Sequence, residues 1–363
     1  MPQSSTSSRN QKRLLQALLF CFTIFAAKGV ATAASANCLQ SSSNERLSNY
    51  CLVERASKQV IDLRSAQVID YRLKREGYAR GLGLPGSTEQ FSFQPYLTPI
   101  LNYETDINGG NPTKPLQLGN LTFNGDPNLA RREGIVVGAG VGGYGRYLVG
   151  EGRYFDYGAG ASYAHSFEHD MGIQRRFASV CSKNHIKNWW YVDGCAGSSY
   201  VEKDLTDDAR NTLSVTTSKV FTSSLNSHHQ ASFGMTRVYD DDYEQNQLTF
   251  SFETIHRNGW HSTVSALFGE SINGEIAVRE AMSASLALPV RNRRLTVSSS
   301  YSEADGAKLL GIVRAEETWS VSASYNVYKD IDVGIGYTET DSTIDYFDVS
   351  TPTITVSFKP IRF

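Results

Sequence analysis

Beyond residue 90 the chain alternates apolar and polar residues almost without a break, and no stretch after residue 37 approaches the apolar length of a membrane-crossing helix. In Thr318 to Val327 the odd positions are Trp319, Val321, Ala323, Tyr325 and Val327, and the even ones are Thr318, Ser320, Ser322, Ser324 and Asn326. Val333, Ile335 and Tyr337 oppose Gly334 and Gly336; Leu248, Phe250 and Phe252 oppose Thr249, Ser251 and Glu253; Phe91, Phe93, Leu97, Leu101 and Tyr103 oppose Ser92, Gln94, Thr98 and Asn102. A period of two is the signature of a strand with two unlike faces. The pattern predicts about fourteen strands, near 91–104, 134–147, 153–166, 173–183, 189–201, 211–223, 229–239, 247–256, 260–269, 279–289, 294–302, 316–327, 331–339 and 352–362. Strands of about ten residues, even in number, with aromatics near their ends and a polar second face, suit a closed sheet with lipid outside and water or a plug inside. The expected fold is therefore all-β, a transmembrane antiparallel β-barrel over 91–363, preceded by a short helical segment.

The front of the chain reads as an address. Arg9, Lys12 and Arg13 precede the apolar run Leu14 to Ala27, and small residues follow to Ala34-Ser-Ala36, the pattern of a secretory signal cleaved before Asn37. Removing 1–36 takes away Arg9, Lys12, Arg13 and Lys28 and no acid, so the formal charge falls from −2 to −6, which gives a nucleic-acid partner no support. The exported chain keeps four cysteines, Cys38, Cys51, Cys181 and Cys195, an even number suited to an oxidising compartment. If the turn between the fourth and fifth strands centres on Asn188, Cys181 and Cys195 lie directly opposite each other on the inner face, within disulfide reach. Nearest-neighbour pairing leaves Cys38 with Cys51. From 37 to 90, Ser42 with Glu45 makes a candidate capping box, and Leu47, Cys51, Val53, Ala56, Val60, Leu63 and Ala66 recur at helical spacing up to Gly77. Residues 37–90 are thus a periplasmic helical segment or a plug entering the barrel.

The connections set the orientation. Every second one is short, including Leu148–Gly152, Asn184–Asn188, Arg257–Gly259 and Tyr328–Asp330, whereas the alternate set includes 105–133, 303–315 and 340–351. Short turns lie in the periplasm and long loops outside, so both termini are expected to be periplasmic, in the cell outer membrane. Trp190, Phe221, Trp260 and Tyr325 then form an inner aromatic girdle, and Tyr103, Tyr200, Trp319 and Tyr337 an outer one. Three places resist: Gly142-Gly143 shifts the parity of its strand, as a bulge would; Lys219 sits on the lipid face, where it must snorkel to the inner interface; and Pro360 breaks the last strand.

Candidate chemistry is sparse. His165-Ser166 and His261-Ser262 are adjacent, so each pair points to opposite sides of its strand, leaving only partners from different strands. Asp204, Asp207, Asp208 and Asp240 to Asp242 read as solvated loop tips, and His228-His229 as a turn. No catalytic set, cofactor site or metal site is expected. The inward set of Ser, Thr and Gly is a conduit's lining.

The strand running into Tyr103-Glu-Thr-Asp-Ile-Asn-Gly-Gly-Asn-Pro112, the segment Trp190-Tyr-Val-Asp-Gly-Cys195 with an upstream Cys181, and the strand count resemble the barrel of the Slam (surface lipoprotein assembly modifier) family of Gram-negative bacteria, over about 90–363. The family's tetratricopeptide array has no counterpart in 37–90, which is too short for one. The resemblance implies help in moving proteins or lipoproteins to the cell surface, with outer-membrane lipid and the barrel-assembly machinery as further partners. The alternative is a porin-like channel for small solutes.

Overall fold

The computed structural model describes residues 38, 44–58, 63–78, 90–118, 120–224, 227–291 and 293–363. The expected signal at 1–36 and the Ser42 half of the capping box lie outside them; Asn44 caps the first helix instead, accepting from the Leu47 amide at 3.2 Å.

Two helices come first, α1 (Glu45–Lys58) and α2 (Leu63–Arg75). The strands are β1 (Phe91–Glu104), the small hairpin β2 (Leu116–Leu118) and β3 (Leu121–Phe123), then β4 (Gly134–Gly150), β5 (Arg153–Ser166), β6 (Met171–Lys187), β7 (Trp190–Glu202), β8 (Asp207–Thr222), β9 (His228–Asp240), β10 (Glu244–Ile255), β11 (His261–Gly269), β12 (Ala277–Val290), β13 (Arg293–Leu309), β14 (Ile312–Tyr328), β15 (Ile331–Ser342), β16 (Val349–Phe358) and β17 (Ile361–Arg362). From β4 to β16 each strand pairs antiparallel with the next, β4 also pairs with β1, and β16 and β17 return to β1, closing a barrel of fourteen staves. Lys359-Pro360 separates β16 from β17, and Phe358 and Ile361 both keep to the outward face on either side of that break. Closure leaves no open edge, which is how a sheet satisfies its backbone where no water can.

The two faces follow the alternation. Val141, Val215, Met235 and Ile335, all outward, are 57 to 64% exposed. The inward positions of β12 to β16 are mainly Ser, Thr and Gly, and hydroxyls bridge neighbouring strands there: Ser265 to Ser283, Ser298 to Ser322 and Ser300 to Ser320 at 2.7 Å, Thr318 to Thr340 at 2.9 Å. A barrel with its apolar side out is inverted relative to a water-soluble one, whose core would hold those residues.

Three expectations need correction. Pairing runs unbroken through Gly142 and Gly143, the shift in β4 falling instead between Leu148 and Gly150, so no bulge re-aims that strand and Tyr144 faces inward. Residues 303–315 are not a loop: β13 and β14 extend through them to a turn at Leu310-Gly311, with φ of 51° and 85°. With that extension, Trp319 and Tyr337 mark the edge of the apolar band, not the end of the strand. Beyond them the outward face carries Glu280, Glu303, Glu317 and Asp341 in one cross-strand row. Lys219 does face outward, and its ammonium reaches the Asn188 carbonyl and sits 5.3 Å from the Trp190 ring, the snorkelling expected of a lysine at an interface.

Candidate functional site in the barrel lumen

The lumen is crowded along one wall. At the short-turn end α1 lies against the inward face of β4 and β7 to β10, where Leu47, Cys51 and Cys38 pack with Tyr191, Val220 and Ile255, each at most 2% exposed. Inward charges on the strands answer charges on the helix. The Arg46 guanidinium donates to both carboxylate oxygens of Asp193 at 2.7 and 2.9 Å, and lies 4.0 Å over the Tyr191 ring. Arg146 of β4 repeats the scheme from the wall: it donates to Asp156 at 2.6 Å and to Glu45 of α1 at 3.0 Å, 4.0 Å over Tyr154. Bidentate arginine to carboxylate pairs are strong because the fork matches both oxygens. Further along, Glu54 accepts from Thr222 and meets His228 at 2.9 Å, and Tyr50 stands edge-on to Trp189 at 4.8 Å.

The end of α2 is tied in as well. Glu76, 2% exposed, accepts from Asn49 of α1 at 2.6 Å, and its carbonyl accepts from the Gly152 amide at 2.8 Å. Burial, then the neighbouring Glu45 carboxylate, push the Glu76 carboxyl up to about 7 against the pull of Asn49, Arg46 and Arg146. Gly77, with φ of +83°, lets the chain turn away where a Cβ would come within 2.2 Å of the Gly150 carbonyl. Burial alone would raise the Glu54 carboxyl, but hydrogen bonds from Lys58 and Thr222 and the nearby His228 hold it below the usual range.

A second insertion closes on the same wall from the other end. Ile107 is fully buried among Val136, Ala164 and Ile173 on the inward faces of β4, β5 and β6. Its loop is built for this: Asp106 accepts from the amides of Gly109 and Gly110 and from Lys203 at 2.8 Å, while Asn108 bonds the Ala130 carbonyl and the Arg132 amide. The stretch Asp106 to Gly110 is thus a self-capped turn pressed into the lumen. The facing wall, β12 to β16, stays open to water, with Ser300, Ser322 and Thr355 exposed.

The cysteines sit where register puts them. Cys181 and Cys195 are opposite residues of β6 and β7, disulfide-bonded with Cα atoms 4.1 Å apart, and Cys38 is bonded to Cys51 of α1. Within the acidic clusters Asp240 pairs with Arg210 at 2.9 Å and Asp241 accepts from the Ala209 amide. His165 lies 3.5 Å from Asp170 and His261 3.4 Å from Glu253. One histidine and serine from different strand ends do meet, His256 Nε2 and Ser262 Oγ at 2.8 Å, but among the described residues no carboxylate bonds that ring. Among the described residues no group of three or more His, Cys, Asp or Glu converges as a metal site. Sequence reasoning missed Arg46, Glu76, Arg146, Asp156 and Asp193. The readable signal was the cluster of inward charges Arg146, Asp156, Lys183 and Asp193 near one end of neighbouring strands.

No family model matches the chain, so the resemblance to Slam barrels has no support there. A search of curated proteins likewise finds no match. Among solved structures the chain is similar to OccAB1 of Acinetobacter baumannii (6% identity, 77% of this chain, 99% of that chain, TM-score 0.39), to OprD of Pseudomonas aeruginosa (7%, 76%, 94%, 0.39) and to a loop-deletion variant of OmpT of Vibrio cholerae (10%, 74%, 99%, 0.40).

Proposed function

We propose that this chain is an outer-membrane channel for small polar solutes, its short turns and both termini periplasmic and its periplasmic mouth narrowed by the α1–α2 plug. The observation that carries this reading is the unequal lumen. One wall is covered from both ends, by the helices and by the Ile107 loop, while the hydroxyl-lined wall of β12 to β16 remains wetted. A lining of Ser, Thr and Gly offers hydrogen bonds without charge barriers and leaves space for water. The apolar outward band requires a bilayer around it, and only closed barrels cross one with strands. The membrane lipid is therefore the partner this surface demands.

The translocation reading loses its footing on the same residues. The Asp106 to Gly110 motif serves the lumenal turn, and Tyr191, Asp193 and Cys195 serve plug docking and a strand-to-strand bridge. Planar-bilayer recordings of the purified chain, with and without residues 37–90, test the proposal. Steady conductance that rises when the segment is removed is the expected result. A barrel that inserts yet stays silent in both forms would be no channel.

A further inference from the structure

One lumenal feature is required neither by the plug nor by a plain water-filled wall. Tyr96, Gly142, Gly160 and Phe177 stand in a single cross-strand row on β1, β4, β5 and β6, all inward. The two glycines form a floor. A Cβ on Gly142 would lie 2.7 Å from Cζ of Tyr96, and one on Gly160 would lie 2.6 Å from a ring carbon of Phe177. Bare backbone is what lets the two rings lie down over the strands. Tyr144, two residues along β4, adds a third ring with its centroid 5.7 Å from that of Tyr96. Phe177 is 46% and Tyr144 37% exposed, so aromatic surface faces lumenal water in the middle of a wall otherwise built to be polar or covered. Exposed apolar surface in a concave, wetted site marks a place where something binds.

The surroundings define the ligand's chemistry. Gln94, Ser162 and Ser179 flank the rings on the same inward face, and the facing wall adds further hydroxyls. Two of the nearby cations are paired, Arg146 with Asp156 and Glu45 and Arg175 with Glu104, while Arg362, opposite Tyr96, holds its guanidinium 5.8 Å over the Tyr144 ring. A flat apolar platform ringed by amide and hydroxyl groups and by one guanidinium donor fits a molecule with one C–H face and a rim of oxygens that can accept from those donors.

We infer that Tyr96, Tyr144 and Phe177 form a binding platform for sugar rings, so that the solutes of the proposed channel are carbohydrates. This deepens the channel reading and rests on it, but its test does not need ion flow. Isothermal titration of maltotriose into the detergent-solubilised full chain is expected to show saturable binding, and sorbitol, an open-chain polyol without a ring face, is expected not to compete. Phe177→Ala and Tyr144→Ala should each weaken maltotriose binding about tenfold, the loss of one aromatic contact, while Tyr144→Phe retains it. Heat-modifiable migration on gels checks that each variant is a folded barrel. Absence of maltotriose binding by the unaltered chain, equal competition by sorbitol, or unchanged affinity in a folded Phe177→Ala barrel would overturn the platform. Binding in a barrel that conducts nothing would support the platform and remove the channel; conductance without binding would do the reverse.

Discussion

At the scale of single residues, Glu76 sets the condition under which the plug holds. Its folded pKa of about 7 stands above its ordinary value of 4.5, so the stabilisation of the docked hairpin is complete below about pH 4.5 and is lost as pH rises through 7. The difference across that window is roughly 3 kcal/mol. Hydrogen exchange of the α1 amides, corrected for intrinsic rate, should therefore be faster at pH 8 than at pH 6. Glu76→Gln, which can still accept from Asn49, should remove most of that dependence; an unchanged pH slope in the variant would assign it to another group. The cysteines make a second residue-level prediction. Non-reduced peptide mapping should recover 181 linked to 195 and 38 linked to 51, whereas a link from either lumenal cysteine to Cys38 or Cys51 would break the β6–β7 register. This pairing was readable in the sequence because parity and a turn position suffice for it. Arg46 with Asp193 was not, because 147 residues separate partners that no local period connects.

At the scale of elements, alternation was legible wherever one face meets lipid and vanished where neither does. Residues 303–315 lie beyond the apolar band, their apolar residues Leu309, Leu310, Ile312 and Val313 are bunched around the turn and do not alternate, and Gly306 with φ of +119° sits inside a register shift, so nothing in the sequence told strand from loop. Gly142 and Gly143 misled for a different reason. Glycine marks no face, and Tyr144 looked like a slipped outward aromatic when it is an inward one of the lumenal platform. The face assignment of β14 can be tested directly. Val321 points outward and Ser322 inward, where its hydroxyl meets that of Ser298. Arginine at 321 should cost about 2 to 4 kcal/mol at the bilayer midplane and abolish heat-modifiable migration, while Ser322→Arg should assemble normally. Equal migration of the two variants would invert or dissolve the assignment.

At the scale of the whole molecule, the proposed orientation rests on fewer loops than the sequence promised. Strand extension reduces 303–315 to the turn at Leu310-Gly311, and 105–133 remains as the long connection, carrying the β2–β3 hairpin. Other asymmetries still point the same way. The plug follows the N-terminus to the end where turns such as Asn258-Gly259 are short, and Lys219 reaches for that same end, while the outward carboxylate row lies at the other. On the proposed orientation the N-terminus is periplasmic and the plug docks from inside the cell envelope, which puts Leu310-Gly311 on the side of the medium and Asn258-Gly259 on the periplasmic side. A short epitope inserted at Leu310-Gly311 should be reached by antibody on intact cells, and one inserted at Asn258-Gly259 only after the outer membrane is permeabilised. Leu310-Gly311 lies between the paired residues Leu309 and Ile312 and Asn258-Gly259 in the short loop between the paired residues Ile255 and His261, so added chain leaves the ladder untouched, and a folded barrel with the accessibilities reversed would turn the channel over and place α1 and α2 at its outer mouth.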